Sequence, residues 1–129
     1  MKPFRLIPLL LLAVWALGCG AGHPKITSIV VSPTSANANI GSSQTVTFSA
    51  TANFDDHTSR QLTAADGLTW KSSNTVVATI EDSNGRATCV TPGTSTITAT
   101  APADLVVTVN NGVSNTSPNV SGTATLNCM

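Results

Sequence analysis

The part of the chain that most constrains its fold is residues 68–100, which read LTWKSSNTVVATIEDSNGRATCVTPGTSTITAT. Short runs with alternating apolar residues are separated there by Ser-Ser-Asn, Asp-Ser-Asn-Gly and Thr-Pro-Gly. Strands at regular spacing with turn residues between them are typical of a β-sandwich. Trp70 is the one tryptophan outside the N-terminal apolar segment, and Leu68 shares its strand face. We therefore expect a core centred on this indole ring.

Strand patterns also flank this stretch. Residues 26–31 predict a first strand that ends at Ser32-Pro33, because proline cannot donate to a ladder. Residues 33–40 predict a short irregular edge segment. Residues 44–52 alternate with a period of two and place Val46 and Phe48 on one face. Further strands are predicted at residues 60–63, 68–72, 76–80, 86–90, 94–100, 105–109 and 120–128.

No stretch beyond the N-terminal segment has helical periodicity, so the sequence predicts an all-β fold. We expect a β-sandwich of about seven to eight antiparallel strands. Its core is predicted to contain Trp70, Phe48, Val46, Ile80 and Ile97.

The N-terminus has the pattern of a secretory signal. Lys2 and Arg5 form a basic region, and residues 6–17 are apolar apart from Pro8. This run is too short to span a bilayer as a helix and fits a signal peptide. The predicted organisation is a signal peptide at 1–18, a tether at 19–25 and one β-sandwich domain at 26–128.

Cys19 follows the apolar run in the context Ala16-Leu17-Gly18-Cys19. This context resembles a bacterial lipobox, in which the cysteine is lipidated and becomes the new N-terminus. The resemblance implies that Cys19 bears a lipid anchor. The chain would then be a lipoprotein of the bacterial cell envelope, in the outer membrane, and would face the periplasm or the exterior. The alternative is ordinary signal-peptidase cleavage nearby, which would give a secreted protein.

The charge balance excludes one class of partner. Lys2 and Arg5 leave with the signal, so four of the six basic residues remain against six acidic ones, a net charge of −2. The basic residues form no cluster. Nucleic-acid binding needs a basic footprint, so we expect no nucleic-acid partner.

Cys89 and Cys128 lie on predicted strands of an exported chain, where oxidising conditions let disulfides persist. We predict that they form a bridge that also holds the last strand in place. The alternative is a buried free Cys89 and a frayed Cys128. An unlipidated Cys19 would compete for either partner.

A combination of short motifs resembles the bacterial immunoglobulin-like domain of group 2, known as BIG2. The motifs are ITSIVVSP, a Trp-x-Ser-Ser-Asn segment at Trp70, a Val-Ala-x-Ile strand ending at Ile80, the Asn84-Gly85 hairpin and a Gly-x-x-x-Ile-x-Ala strand from Gly93. The resemblance covers about residues 26–100, with 121–126 as the last strand. It implies an immunoglobulin-like sandwich that serves as a cell-surface spacer or adhesion element, with no catalytic residues. An insertion near residues 102–119 and the cysteines depart from the family pattern.

No pattern in the sequence predicts a catalytic site or a metal site. The acidic turn Asp55-Asp56-His57 is one contiguous triplet, which cannot surround a metal ion. Neither a nucleophile elbow nor a matched pair of carboxylates occurs. We therefore expect no enzyme activity, no metal and no cofactor. The predicted function is adhesion, scaffolding or partner recognition, directed at another protein or a surface glycan. The alternative is a carbohydrate-binding module, which an exposed Trp70 would favour.

Overall fold

The computed structural model describes residues 23–41, 44–104 and 117–129. These residues form ten strands and a 3₁₀ helix at Ala64–Asp66. Within this described part of the chain, no helix is long and apolar enough to cross a membrane. The strands are β1 (Ile26–Ser32), β2 (Ser35–Ala38), β3 (Thr45–Thr47), β4 (Ser49–Phe54), β5 (Ser59–Gln61), β6 (Thr69–Ser72), β7 (Ala78–Ile80), β8 (Arg86–Cys89), β9 (Gly93–Pro102) and β10 (Asn119–Cys128).

One layer of the sandwich is built around an interrupted strand. Only Phe48 separates β3 from β4, and its amide donates to the carbonyl of Gly85 at 2.9 Å. The carbonyl of Ala50 accepts from the amide of Leu62 at 2.8 Å. Residues two apart in a strand direct their backbone groups to the same edge, so Phe48 and Ala50 bond to neighbours on one side. On that side, β8 pairs with β3 and β5 pairs with β4. Strand β1 pairs with the other edge of β4, and β7 pairs with β8.

The second layer has the strand order β2-β10-β9-β6. Strand β1 belongs to the first layer, and the chain enters the second layer after Ser32-Pro33, whose peptide bond is cis. Because β2 continues in the direction of β1 rather than turning back, it pairs in parallel with β10. This one pair differs from the antiparallel arrangement expected from the sequence.

The prediction of an all-β, immunoglobulin-like β-sandwich is confirmed by the two layers. The structure has ten strand segments because β1–β2 and β3–β4 are each divided. When each pair is counted as one strand, the number agrees with the expected seven to eight.

The inner faces follow the period of two. On β9, residues 95, 97, 99 and 101 are buried, and on β10 the even positions from 122 to 128 are buried. Phe48, Ile97 and Leu126 are among the most deeply buried large side chains. Trp70 is also buried, whereas Val46 and Ile80 are partly buried against the core. The deepest part of the core therefore lies at Phe48 and Ile97, and Trp70 lies at its margin.

Several strand boundaries differ from the sequence-based prediction. The strand expected at 44–52 is divided into Thr45–Thr47 and Ser49–Phe54, and the strand expected at 94–100 extends over Gly93–Pro102. The predicted strand at 76–80 begins only at Ala78, because residues 75–77 form a turn that leaves Val76 exposed. The short strand expected at 60–63 lies at Ser59–Gln61. The signal peptide at 1–18, Cys19, the strand expected at 105–109 and residues 105–116 of the insertion lie outside the described residues.

Candidate functional site

The Trp-x-Ser-Ser-Asn motif supplies a buried hydroxyl cluster between the layers. The hydroxyl of Ser72 donates to the carbonyl of Ala78 at 2.7 Å and lies 2.7 Å from the hydroxyl of Ser95. Ser95 is 1% exposed, and its oxygen also accepts the amide of Asn74 at 3.2 Å. Ser73 lies 3.3 Å from Ser95 and accepts the amide of Thr96 at 2.9 Å. The cluster thus connects β6, β7 and β9.

This arrangement gives the motif a structural role. The Asn74 side chain accepts the amide of Val76 at 3.1 Å, which forms the turn before β7. Every buried side-chain nitrogen and oxygen among the described residues has a hydrogen-bond partner. The hydroxyls of the cluster are therefore satisfied within the fold and help to hold β6, β7 and β9 together. The Trp-x-Ser-Ser-Asn motif in the sequence includes Ser72, Ser73 and Asn74, but no sequence pattern indicated that Ser95 joins them.

Trp70 is held from two sides at the open edge of the second layer. Its backbone amide, on edge strand β6, donates to the carboxylate of Asp82 at 2.7 Å. Its ring packs against Gly85, where an added Cβ would lie 2.9 Å from the ring and 2.5 Å from the carbonyl oxygen of Phe48. The φ of Gly85 is +71°, so this turn requires glycine for both conformation and space.

A cleft of about 190 Å³ lies beside Trp70, where the first layer opens between β5 and β8. Its lining combines the Trp70 ring with the polar side chains of Gln61 and Asn84. Asn84 is already engaged, since its amide donates to Glu81 at 2.6 Å and its oxygen accepts the Arg86 amide at 2.9 Å. At 7% exposure, Trp70 offers no flat aromatic platform to a sugar ring.

The acidic turn joins β4 to β5. The carboxylate of Asp55 accepts the Lys25 amide at 3.1 Å, and that of Asp56 accepts the Thr58 amide at 3.0 Å. Hydrogen bonds from the Thr58 hydroxyl and amide hold the pKa of Asp56 below its usual range. His57 has a φ of +65°. Among the described residues, no group of three or more histidine, cysteine or acidic side chains is arranged to hold a metal ion.

The tightest electrostatic pair is Arg60 with Asp66. The guanidinium makes two hydrogen bonds to the carboxylate, at 2.8 and 3.0 Å, and lies 5.8 Å from the centroid of the Phe54 ring. Asp66 also accepts the amide of Thr63 at 2.9 Å. Hydrogen bonding by Arg60 is the main cause that lowers the pKa of Asp66 to about 2. The pair closes the 3₁₀ turn after β5.

A disulfide bridge joins Cys89 to Cys128, with a Cα–Cα distance of 5.5 Å. Cys89 ends β8 in the first layer, and Cys128 ends β10 in the second. The bridge therefore connects the two layers covalently and fixes the end of the last strand. Both cysteines are buried.

The two-layer β-sandwich, with the Cys89–Cys128 bridge between its layers, has an immunoglobulin-like fold. The family model described as the intimin immunoglobulin-like domain matches residues 56–103, from the β4–β5 turn to just beyond β9. No curated protein matches the chain. The match indicates a bacterial immunoglobulin-like module of the surface or adhesin type. Phe48, Trp70, Ile80 and Ile97, with Val46, are core or near-core residues of that module.

Proposed function

We propose that this chain is a non-enzymatic lipoprotein of the bacterial envelope, anchored through Cys19, with a sandwich of the BIG2 type that serves adhesion, scaffolding or partner recognition. The similarity of residues 56–103 to an immunoglobulin-like domain of intimin is the observation that carries this proposal. The partners are the membrane, through the lipid, and a protein or glycan surface. The buried disulfide between Cys89 and Cys128 is consistent with export.

The path of the N-terminus gives the proposed anchored arrangement an orientation. Lys25 lies against Asp55, and the amide of Ile26 donates to the carbonyl of Ala103 at 2.8 Å. A lipid on Cys19 would be separated from this end of the sandwich by residues 19–25, which can reach at most about 25 Å. The end with the N-terminus and the β4–β5 turn would then face the membrane, and the opposite end would project away from it.

The polar contacts support a role without catalysis. The carboxylates of Asp55, Asp56, Asp66 and Asp82 all accept hydrogen bonds that hold turns or a strand edge. The buried hydroxyls of Ser72 and Ser95 bond to each other and to the backbone. In contrast to a catalytic site, no nucleophile in these contacts is paired with a base. The burial of Trp70 gives the carbohydrate-binding alternative no specific support.

The intact mass of the protein from its native membrane tests this proposal. We expect a chain that begins at Cys19 and has additional acyl mass. Reduction should add the mass of two hydrogens, because one disulfide opens. A Cys19→Ser variant is the control and should lose the acyl mass and leave the membrane fraction. An unmodified native chain in the soluble fraction would contradict the anchored arrangement.

A further inference from the structure

One end of the sandwich combines exposed apolar side chains with an absence of charged side chains. We call it the C-terminal pole and define it by the loops at residues 39–41, 73–77 and 90–92 together with residue 129. Gly93 at the start of β9 pairs with Cys128 at the end of β10, which places the last two of these regions side by side. Strand β2 runs parallel to β10 and so delivers residues 39–41 to the same end.

Four of the five large hydrophobic side chains that are exposed among the described residues lie at this pole. Their exposed fractions are 40% for Ile40, 67% for Val76, 46% for Val90 and 63% for Met129. The fifth, Val30, lies on the flank of the sandwich, on β1. Single exposed hydrophobic residues are common, but a group at one end marks an interaction surface.

Backbone contacts hold the four residues in one region. The amide of Ile40 donates to the carbonyl of Met129 at 2.9 Å. The hydroxyl of Thr91 donates to the carbonyl of Val76 at 2.8 Å, and the preceding residue is Val90. The Cys89–Cys128 bridge connects these two pairs, because Val90 and Met129 each directly follow a bridged cysteine.

The charged side chains of residues 23–41, 44–104 and 117–129 lie elsewhere. Residues 33–54, 72–80, 87–96 and 123–129 contain no Asp, Glu, Lys, Arg or His. The acidic turn, the Arg60–Asp66 pair and Lys25 lie toward the end where β1 begins. The pole instead has hydroxyl and amide side chains, including those of Asn39, Thr75 and Thr91.

We propose that a second copy of this chain docks on the C-terminal pole, so that two sandwiches associate end to end through the same surface. Homodimer interfaces have an apolar core that is depleted of charge, which this pole provides. A two-fold contact places the same patch on both sides, so it needs groups that complement themselves. Hydroxyl and amide groups are both donors and acceptors and meet this condition, whereas like charges would repel.

This inference deepens the recognition role proposed above, and the two can fail independently. The mass measurement tests export and anchoring, whereas the association is a property of the folded domain. In an anchored chain, the pole would lie at the end remote from residues 19–25. Docking would then join chains through their projecting ends.

The test is sedimentation velocity on the full exported chain, purified from its native cells, with Val76→Glu and Val30→Glu as a matched pair. Both replace an exposed valine by a charged residue, but only Val76 lies at the pole. We expect the native chain to form dimers that dissociate on dilution. Val76→Glu should weaken them by about 10-fold or more in dissociation constant, and Val30→Glu should leave them unchanged.

Three further measurements make the result decisive. Unfolding curves should show that both variants remain folded, and Val76→Thr should weaken dimers less than Val76→Glu. A photo-crosslinker at position 76 should capture a second copy of the chain in cells, and one at position 30 should not. A native chain that is monomeric throughout, equal effects of both glutamates, or capture at position 76 of a different protein alone would overturn the proposal.

Discussion

At the residue scale, Asp66 shows how one carboxylate stabilises a local structure. It accepts two hydrogen bonds from Arg60 and one from the amide of Thr63, which begins the 3₁₀ turn. Its side chain is 17% exposed, whereas that of Arg60 is 49% exposed. Water therefore screens the ion pair in part, and its contribution is smaller than the pKa shift alone would indicate.

We predict that this pair makes stability depend on pH in the acid range. The pKa of Asp66 falls from 3.8 to about 2 on folding, so the carboxylate stabilises the fold above about pH 4. This stabilisation should disappear as the pH falls toward 2. After allowance for screening, the loss should be about 1 kcal/mol.

Urea unfolding of the native chain and of Asp66→Asn, at pH 6 and at pH near 2, measures the effect. The free energy of unfolding should differ between the two proteins at the higher pH and converge at the lower. A Glu81→Gln variant provides a carboxylate control outside this ion pair, because Glu81 accepts a hydrogen bond from the uncharged Asn84 side chain. A difference between native and Asp66→Asn proteins that is the same at both pH values would show that the ion pair is not the cause.

At the element scale, Ser95 adds side-chain hydrogen bonds that link β9 to β6 and to the turn before β7. It is 1% exposed, and its hydroxyl contacts the hydroxyls of Ser72 and Ser73 and the amide of Asn74. Removing the Ser95 hydroxyl takes away the acceptor of the Asn74 amide and one hydrogen-bond partner of the buried Ser72 hydroxyl, and an unmet hydrogen bond in a buried network costs more than the bond itself contributes. The cluster should therefore be sensitive to single substitutions.

We predict that Ser95→Ala lowers the free energy of unfolding by about 1–3 kcal/mol. The matched control is Ser121→Ala, because Ser121 also makes a hydroxyl–hydroxyl contact, 2.9 Å from Thr100, but at an exposed position. That variant should stay within about 0.5 kcal/mol of the native chain. Urea unfolding monitored by Trp70 fluorescence measures both, and equal effects would exclude a special role for the buried cluster.

At the scale of the whole molecule, the Cys89–Cys128 bridge connects the layers and closes a loop with a sequence separation of 39 residues. In the chain-entropy model, a loop of this length contributes about 4 kcal/mol by restricting the unfolded chain. The bridge also connects Val90 to Met129 at the C-terminal pole. Its removal should therefore affect both stability and association.

We predict that Cys89→Ala combined with Cys128→Ala lowers the free energy of unfolding by up to about 4 kcal/mol. The paired substitution avoids an unpaired buried thiol, and a reduced native chain provides the control. The two should unfold at similar urea concentrations, and both should unfold well below the oxidised protein. A variant as stable as the oxidised chain would mean that packing alone joins the layers.

Local chemistry in the sequence determined which segments form strands and which face each strand buries. Alternation gave the buried positions of β4, β9 and β10, since a period of two assigns successive side chains to opposite faces. The Asn84-Gly85 turn followed from the need for positive φ at Gly85. The cysteine pair followed from export chemistry and matches the bridge in the structure.

Only the tertiary structure decided how these segments meet. The parallel pairing of β2 with β10, the hydrogen bond of Phe48 with Gly85 and the contact of Ser95 with Ser72 all join residues far apart in sequence. At Gly122, where an added Cβ would overlap the carbonyl oxygen of Ile29, the reason for glycine is a neighbouring strand. A periodic pattern is local and names no partner, whereas pairing depends on which packing buries all the apolar faces at once. The C-terminal pole, which lacks charged side chains, likewise exists only because folding brings four separate loops and strand ends to one end of the sandwich.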